Sequence, residues 1–258
     1  LFVLSSISTS PAFADSSIIG GDPTQDFEAV GTLVGIFPDD SIMDFCSGTL
    51  IRDNIVVTAA HCIPPIAELE EMGANSFAFV IGTTLMDEDG VWDWSYIEAA
   101  QMHPEYDDRT LANDIALIQL SEPITTTSPI PVNTEEPPLD RHVTYVGWGK
   151  TNENDDYSTG VKHTVSVPTG ELTDTVLTTY DPSGRNICNG DSGGAALMAD
   201  DDGNYWLVGI NSFGYDVYGR APHCGGDGAA GGATRADAYV DWMCSLLGED
   251  CVGSGSVT

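Results

Sequence analysis

Basic residues are nearly missing from this chain. Its 258 residues include eight Lys and Arg against 40 Asp and Glu, a formal net charge of −32, and the lysines are Lys150 and Lys162 alone. Binding to DNA or RNA rests on basic groups meeting phosphates, so a nucleic-acid partner is excluded. Docking on an anionic membrane is disfavoured for the same reason. No run of 18 apolar residues exists, so no helix spans a bilayer. Cys-x-x-Cys pairs and His-rich tracts are absent too, which makes zinc a poor reading of the cysteines.

What is present suits a folded, exported protein. The length fits one large domain or two small ones packed together. With 41% apolar residues and 28 Gly, a sizeable core is available and wholesale disorder is not expected. Leu1–Ala14 reads as the end of a secretory signal peptide, with Ala12 and Ala14 as the small residues at −3 and −1 of a cut before Asp15. The expected compartment is extracellular or periplasmic. Six cysteines, Cys46, Cys62, Cys188, Cys224, Cys244 and Cys251, suit three disulfides there, with 15 pairings open on the count alone. So dense a carboxylate surface repels itself until salt screens it, which points to saline surroundings or to a generic acidic secreted protein. A urea midpoint that failed to rise with added NaCl would contradict the first.

Short apolar runs separated by Gly, Pro and Asp clusters predict strands at 33–36, 55–58, 77–81, 115–120, 142–146, 162–167, 195–198 and 206–210. Strands without regularly alternating helices favour a sandwich or barrel over parallel α/β. Met86–Gly90 and Asn152–Gly160 read as exposed acidic loops, and Ser121–Pro138 as a crossing linker between two β halves. Tyr239, Val240, Met243, Cys244 and Leu247 are spaced for a helix over 236–247, with Gly248 as its stop. Gly253–Thr258 is small and polar and reads as a frayed tail. No internal sequence repeat is visible.

Four motifs carry chemistry. In order they are Ile18-Ile19-Gly20-Gly21, Thr58-Ala59-Ala60-His61-Cys62, Asn113-Asp114-Ile115-Ala116-Leu117 and Gly190-Asp191-Ser192-Gly193-Gly194. Cys46-Ser47-Gly48-Thr49-Leu50, Gly147-Trp148-Gly149 and Ser212-Phe213-Gly214 accompany them. From Ile18 to about Leu247 the chain resembles the trypsin/chymotrypsin-like serine proteases. The resemblance implies an all-β fold of two antiparallel Greek-key barrels with a C-terminal helix. The expected boundaries are a signal remnant at 1–14, a pro-segment at 15–17 and a protease domain at 18–248. Within that domain barrel one spans about 30–120, barrel two about 139–235 and the helix 236–247, and a disulfide-clipped tail follows at 249–258.

The implied activity is secreted serine endopeptidase. A serine hydroxyl is a weak nucleophile and needs an adjacent base. The resemblance assigns Ser192 as nucleophile, His61 as base and then acid, and Asp114 as the group that orients the imidazole. The N–H groups of Gly190 and Ser192 would form the oxyanion hole. Cleavage before Ile18 would free an ammonium that pairs with Asp191 and orders the site. The bond to be cut follows Ser17 rather than Lys or Arg, so an activator other than a trypsin-like one is expected. Asn186 falls at the base of the primary pocket, with Ser212, Phe213, Gly214 and Gly231 lining it. A neutral amide cannot offset a buried cation, so the preference expected is for large neutral side chains; Asp227 nearby keeps a basic preference as the minority reading.

The resemblance pairs Cys46 with Cys62 and Cys188 with Cys224, and leaves Cys244 and Cys251 for each other. No cofactor is required. Calcium is the one ion it raises, at Asp87, Glu88 and Asp89, though an acidic surface loop is usually only solvated. Protein or peptide substrates, an activating protease and a monomeric state are the expected associations. Two other classes compete. One is a binding protein on the same fold that cuts nothing. The other is an esterase, because Gly190–Gly194 also matches the G-x-S-x-G elbow, with Asp216 and His223 as its downstream acid and base.

Overall fold

Thirteen strands carry the architecture among the described residues. The structure is a computed structural model, and it describes residues 17–155, 158–248, 252 and 255–257. The signal-like segment, Asp15, Ser16 and Cys251 lie outside them.

The first barrel is built from β2 (Val30–Ile36), β3 (Ile42–Arg52), β4 (Ile55–Thr58), β5 (Ser76–Gly82), β6 (Val91–Met102) and β7 (Ala116–Leu120). They close in the order β2-β3-β4-β7-β6-β5. The second barrel uses β8 (His142–Gly147), β9 (His163–Leu172), β10 (Val176–Tyr180), β11 (Ala195–Ala199), β12 (Tyr205–Asp216) and β13 (Ala229–Arg235). Its order is β9-β10-β13-β12-β11-β8, and the β8–β9 pairing closes the ring. The two rings therefore have the same antiparallel Greek-key connectivity, a structural repeat with no trace in the sequence. A short β1 (Asp22–Pro23) adds to the edge of β9, so the segment after Ile18 belongs to the second barrel.

The apolar runs become strands because closure buries most of each one. In β4 all four residues are buried, and β5 keeps Ala78–Gly82 inside. One core cluster fills the first barrel and continues through Val146, Leu197, Leu207 and Met243 into the junction; a second fills the other barrel around Val143, Tyr145, Val165, Leu177 and Val208. The linker of 121–138 forms no strand but is pinned between the barrels. Ile124 N–H donates to Asp53 O at 2.7 Å, Ile130 N–H to Leu50 O at 3.0 Å, and Leu207 N–H to Pro131 O at 2.9 Å.

Several expectations need correction. β3, β6, β10 and β13 lie outside the strands read from sequence. A helix at Pro64–Glu71 was not expected either, since Leu69 alone of its side chains is buried and no apolar stripe marks it. The C-terminal helix begins later than expected, at Val240, after a 3-10 turn over Asp237–Tyr239. Arg52 donates to Leu247 O at its C-terminus, where a cation suits the helix dipole. The tail is not frayed at 255–257. Val257 is fully buried in the second core and donates its N–H to Asn133 Oδ1 at 3.2 Å, while Gly255 O accepts from Thr134.

Candidate active site

The cleft between the barrels is positioned by a few close contacts. Ser47 on β3 receives the turn that carries Ser192: its N–H donates to Ser192 O at 2.8 Å and its Oγ to Gly190 O at 2.8 Å. Its Oγ also accepts from Trp148 N–H at 3.0 Å. Gly193 lies in the same turn at φ 79°, and a Cβ there would sit 2.0 Å from Thr58 Oγ1. Both the backbone conformation and the close approach thus require glycine.

Asp114 is fully buried just before β7. Its Oδ1 accepts from His61 N–H at 2.9 Å and its Oδ2 meets His61 Nδ1 at 2.8 Å. Ser212 Oγ donates to the same Oδ2 at 2.5 Å. A carboxylate only accepts, so Nδ1 carries the proton and Nε2 is left as the basic nitrogen. The main chain is held as firmly: Thr234 Oγ1 donates to Asp114 O at 2.9 Å, and Tyr239 OH to Asn113 Oδ1 at 2.8 Å. Asn113 itself sits at φ 55°, a region Asn tolerates better than most residues.

His61 and Ser192 line one cleft of about 610 Å³ with Ser212, Phe213 and Gly214. Among the described residues no hydrogen bond joins their side chains, and such bonds often tighten only when substrate arrives. Neither Gly190 N–H nor Ser192 N–H is spent on a protein acceptor among the described residues. Two unspent donors beside the Ser192 hydroxyl form an arrangement able to bind an oxyanion.

Asn186 is buried next to Ile187, which lines this cleft. A Cβ on Gly231 would lie 2.6 Å from its Oδ1, and one on Gly214 would lie 4.0 Å from its Nδ2. That Nδ2 has no hydrogen-bond partner, and neither Asn186 nor Gly231 lines the cleft itself. Asp227 is tied to Arg220, whose guanidinium bonds its carbonyl, and to Tyr218 OH at 3.3 Å. Its carboxylate stands 3.8 Å from Arg220 Nη2 and stays largely exposed.

Asp191 is fully buried. It accepts from Gly149 N–H and Cys188 N–H at 2.8 Å each, and burial still pushes its pKa up to about 7. Ile18 is buried in the core cluster that holds Tyr145 and Ile187. It has φ 46°, a strained conformation for a β-branched residue, and Ile19 pairs with Asn186 in an isolated bridge.

Cys46 is bonded to Cys62 and Cys188 to Cys224, with Cα separations of 6.0 and 4.8 Å. Cys244 is also disulfide-bonded, while Cys251 lies outside the described residues. The grouping of Cys46, His61 and Cys62 is no metal site, because disulfide sulfurs offer no thiolate. In the acidic loop, Asp87 Oδ1 is used as a cap, accepting from Gly90 N–H at 2.8 Å; its three carboxylates do not converge as a ligand group. The esterase arrangement fails as well. Asp216 and His223 approach to 3.6 Å, but Arg220 claims the Asp216 carboxylate and holds its pKa near 2, and two barrels replace the alternating β/α units an elbow needs.

A family profile for trypsin matches residues 18–243. The chain belongs to the trypsin family of serine proteases. Within that family it is 31% identical over 228 residues to Limulus clotting factor C of Carcinoscorpius rotundicauda, covering 77% of this chain and 22% of that protein. It is 30% identical over 225 residues to a trypsin of Phaedon cochleariae, covering 77% of each. To serine protease 1 of Rattus norvegicus it is 28% identical over 263 residues, covering 94% of this chain and 96% of the other. This trypsin-family chain thus spans about a fifth of the clotting factor's length and nearly all of the rat protease.

Sequence reading missed several contributors to the site. Ser47 stood within a quoted motif, yet nothing local revealed its bonds to a turn more than a hundred residues away. Glu153, read only as part of an acidic loop, and His223, singled out only for the esterase alternative, also line the cleft.

Proposed function

We propose that this chain is an exported serine endopeptidase, with residues 18–248 as the protease domain, acting as a monomer on protein or peptide substrates. The observation that carries the reading is the double attachment of Asp114 to His61, which leaves Nε2 directed to the cleft that holds Ser192. Ser192 Oγ attacks the scissile carbonyl while His61 Nε2 takes its proton. The carbonyl oxygen becomes an oxyanion against the N–H groups of Gly190 and Ser192, each worth roughly 3 kcal/mol in comparable sites. His61 returns the proton to the leaving amine, and the acyl group stays on Ser192. Water, deprotonated by His61, then releases the acid and restores the hydroxyl.

The primary pocket takes large neutral side chains. Asn186 supplies an uncharged base, and Gly214 and Gly231 leave the approach open. Activation proceeds by cleavage before Ile18 by a second protease. The new ammonium pairs with Asp191, whose buried carboxylate has two N–H donors and, among the described residues, no cation. Export agrees with the disulfides, which persist in oxidising compartments.

A fluorophosphonate probe tests the reading. Protein beginning at Ile18 is expected to be labelled on Ser192, with labelling lost in Ser192→Ala and His61→Ala. A folded sample that resists the probe would instead be a binding protein on this fold.

A further inference from the structure

On a chain with 40 acidic residues, exposed apolar side chains should be scattered. Three of the large ones instead gather around one cleft of about 620 Å³: Ile42 is 46% exposed, Met43 41% and Met86 65%. Phe45 and Leu85 extend the apolar lining. An apolar patch of this kind on a soluble surface marks an interaction site.

Its position names the occupant. Asn189 lines both this cleft and the one containing His61 and Ser192, and Gly190 stands at its inner end. On the proteolytic reading the acyl half of a substrate occupies the cleft lined by Ser212, Phe213 and Gly214. Chain continuing past Ser192 the other way passes Gly190 and enters this second cleft.

The walls are built before any substrate arrives. Leu85 N–H donates to Gly160 O at 2.8 Å, and Lys162 N–H to Thr83 O at 2.8 Å. Thr159 Oγ1 donates to Asp44 Oδ1 at 3.3 Å, beneath the patch, and burial raises the pKa of that carboxyl. Met86 Cε comes within 3.4 Å of where a Cβ on Gly160 would stand. The acidic loop of Met86–Gly90 thus contributes one wall of a groove.

We propose that this groove selects a bulky apolar side chain in the first residues after the scissile bond. The proposal rests on the proteolytic reading above and adds the substrate's leaving side to it. Methionine side chains adapt their shape, so the class accepted is Leu, Met or Phe rather than one residue.

Competition for the acyl-enzyme isolates this side from the primary pocket. Protein beginning at Ile18 is acylated with the best donor from a panel of N-acyl amino-acid methyl esters. Leu-Leu-amide or Ser-Ser-amide is then added. The amine attacks the acyl carbonyl, its proton passes to His61, the ester bond to Ser192 Oγ breaks, and a peptide bond forms; water competes to give the acid and serves as internal reference. Leu-Leu-amide is expected to capture the acyl group about tenfold better than Ser-Ser-amide, on the scale of discrimination set by apolar contacts. That advantage should disappear in Met43→Ser/Met86→Ser and fall in Met86→Ser, whose exposed side chain has little part in folding. Equal capture of both amides, or an advantage that survives the double substitution, overturns the proposal. Absence of acylation by every ester and by fluorophosphonate would instead overturn the proteolytic reading itself.

Discussion

Asp114 Oδ2 serves two donors at once, His61 Nδ1 at 2.8 Å and Ser212 Oγ at 2.5 Å. Ser212 also lines the cleft that holds His61 and Ser192, so one side chain joins the orientation of the imidazole to the wall of the cleft. Asp114→Asn presents a donor where Nδ1–H needs an acceptor and should lower kcat by about 10⁴-fold with the fold intact. Ser212→Ala removes one of the carboxylate's bonds and should cost about tenfold, a hydrogen bond to a charged group being worth about 1.5–3 kcal/mol at most. Ester turnover per titrated active site measures both; equal losses in the two variants would contradict the ranking.

The buried carboxylate of Asp191 sets a pH dependence that differs before and after activation. Uncleaved, its pKa is raised from 3.8 to about 7. Stability from this group is therefore full below the unfolded value and is lost as pH rises through the folded one, a span of roughly 4 kcal/mol. Ser192→Ala protein retaining Ser17 should lose melting temperature between pH 4 and 8 relative to its Asp191→Asn version. Protein starting at Ile18 should lose less, since the ammonium compensates the charge. Parallel pH profiles with and without the Asp191→Asn substitution would remove the basis for this account.

Asn186 offers the most direct change of specificity. Its buried amide is within 2.6 Å of where a Cβ on Gly231 would stand, and its Nδ2 is unpartnered. Asn186→Asp puts a carboxylate there, which an entering Lys or Arg can pair with. Cleavage after Lys and Arg should rise by at least about tenfold and cleavage after neutral residues should fall. An unchanged cleavage profile would mean that this residue does not face substrate.

Val257 ties the C-terminal tail into the second core, fully buried. Val257→Asp would bury a carboxylate without a cation and should destabilise the fold by about 3 kcal/mol. For a domain of this size that is a fall of roughly 6–12 °C in Tm, read in a Ser192→Ala background to prevent self-digestion. A shift within error would show that the tail can leave its seat freely.

The parts of this protein that were legible in sequence are those where chemistry or packing restricts residue type locally. His61, Asp114 and Ser192 stood out because short motifs surround each one. β4 and β5 were visible as Ile55–Thr58 and Phe77–Ile81, since barrel strands bury both faces. β13 was hidden. Ala229–Arg235 has Thr234 as its only β-branched residue, and its small side chains are set by neighbours: a Cβ on Gly232 would lie 2.3 Å from the Phe213 ring. Read alone, such a segment is a turn. β6 was hidden differently, because Trp92, Trp94 and Tyr96 point outward and blur the apolar alternation. The tail misled for the opposite reason: its composition is that of a flexible end, and only the socket beside Asn133 and Trp206 explains why Gly255–Val257 is held.

The most direct test of the central claim is digestion of an unbiased peptide library by protein beginning at Ile18, with Ser192→Ala as control. The account predicts cleavage by the wild type alone, after large neutral residues and before segments rich in Leu, Met or Phe. A folded sample with a proven Ile18 terminus that cuts nothing, or cuts as well without the Ser192 hydroxyl, would contradict it.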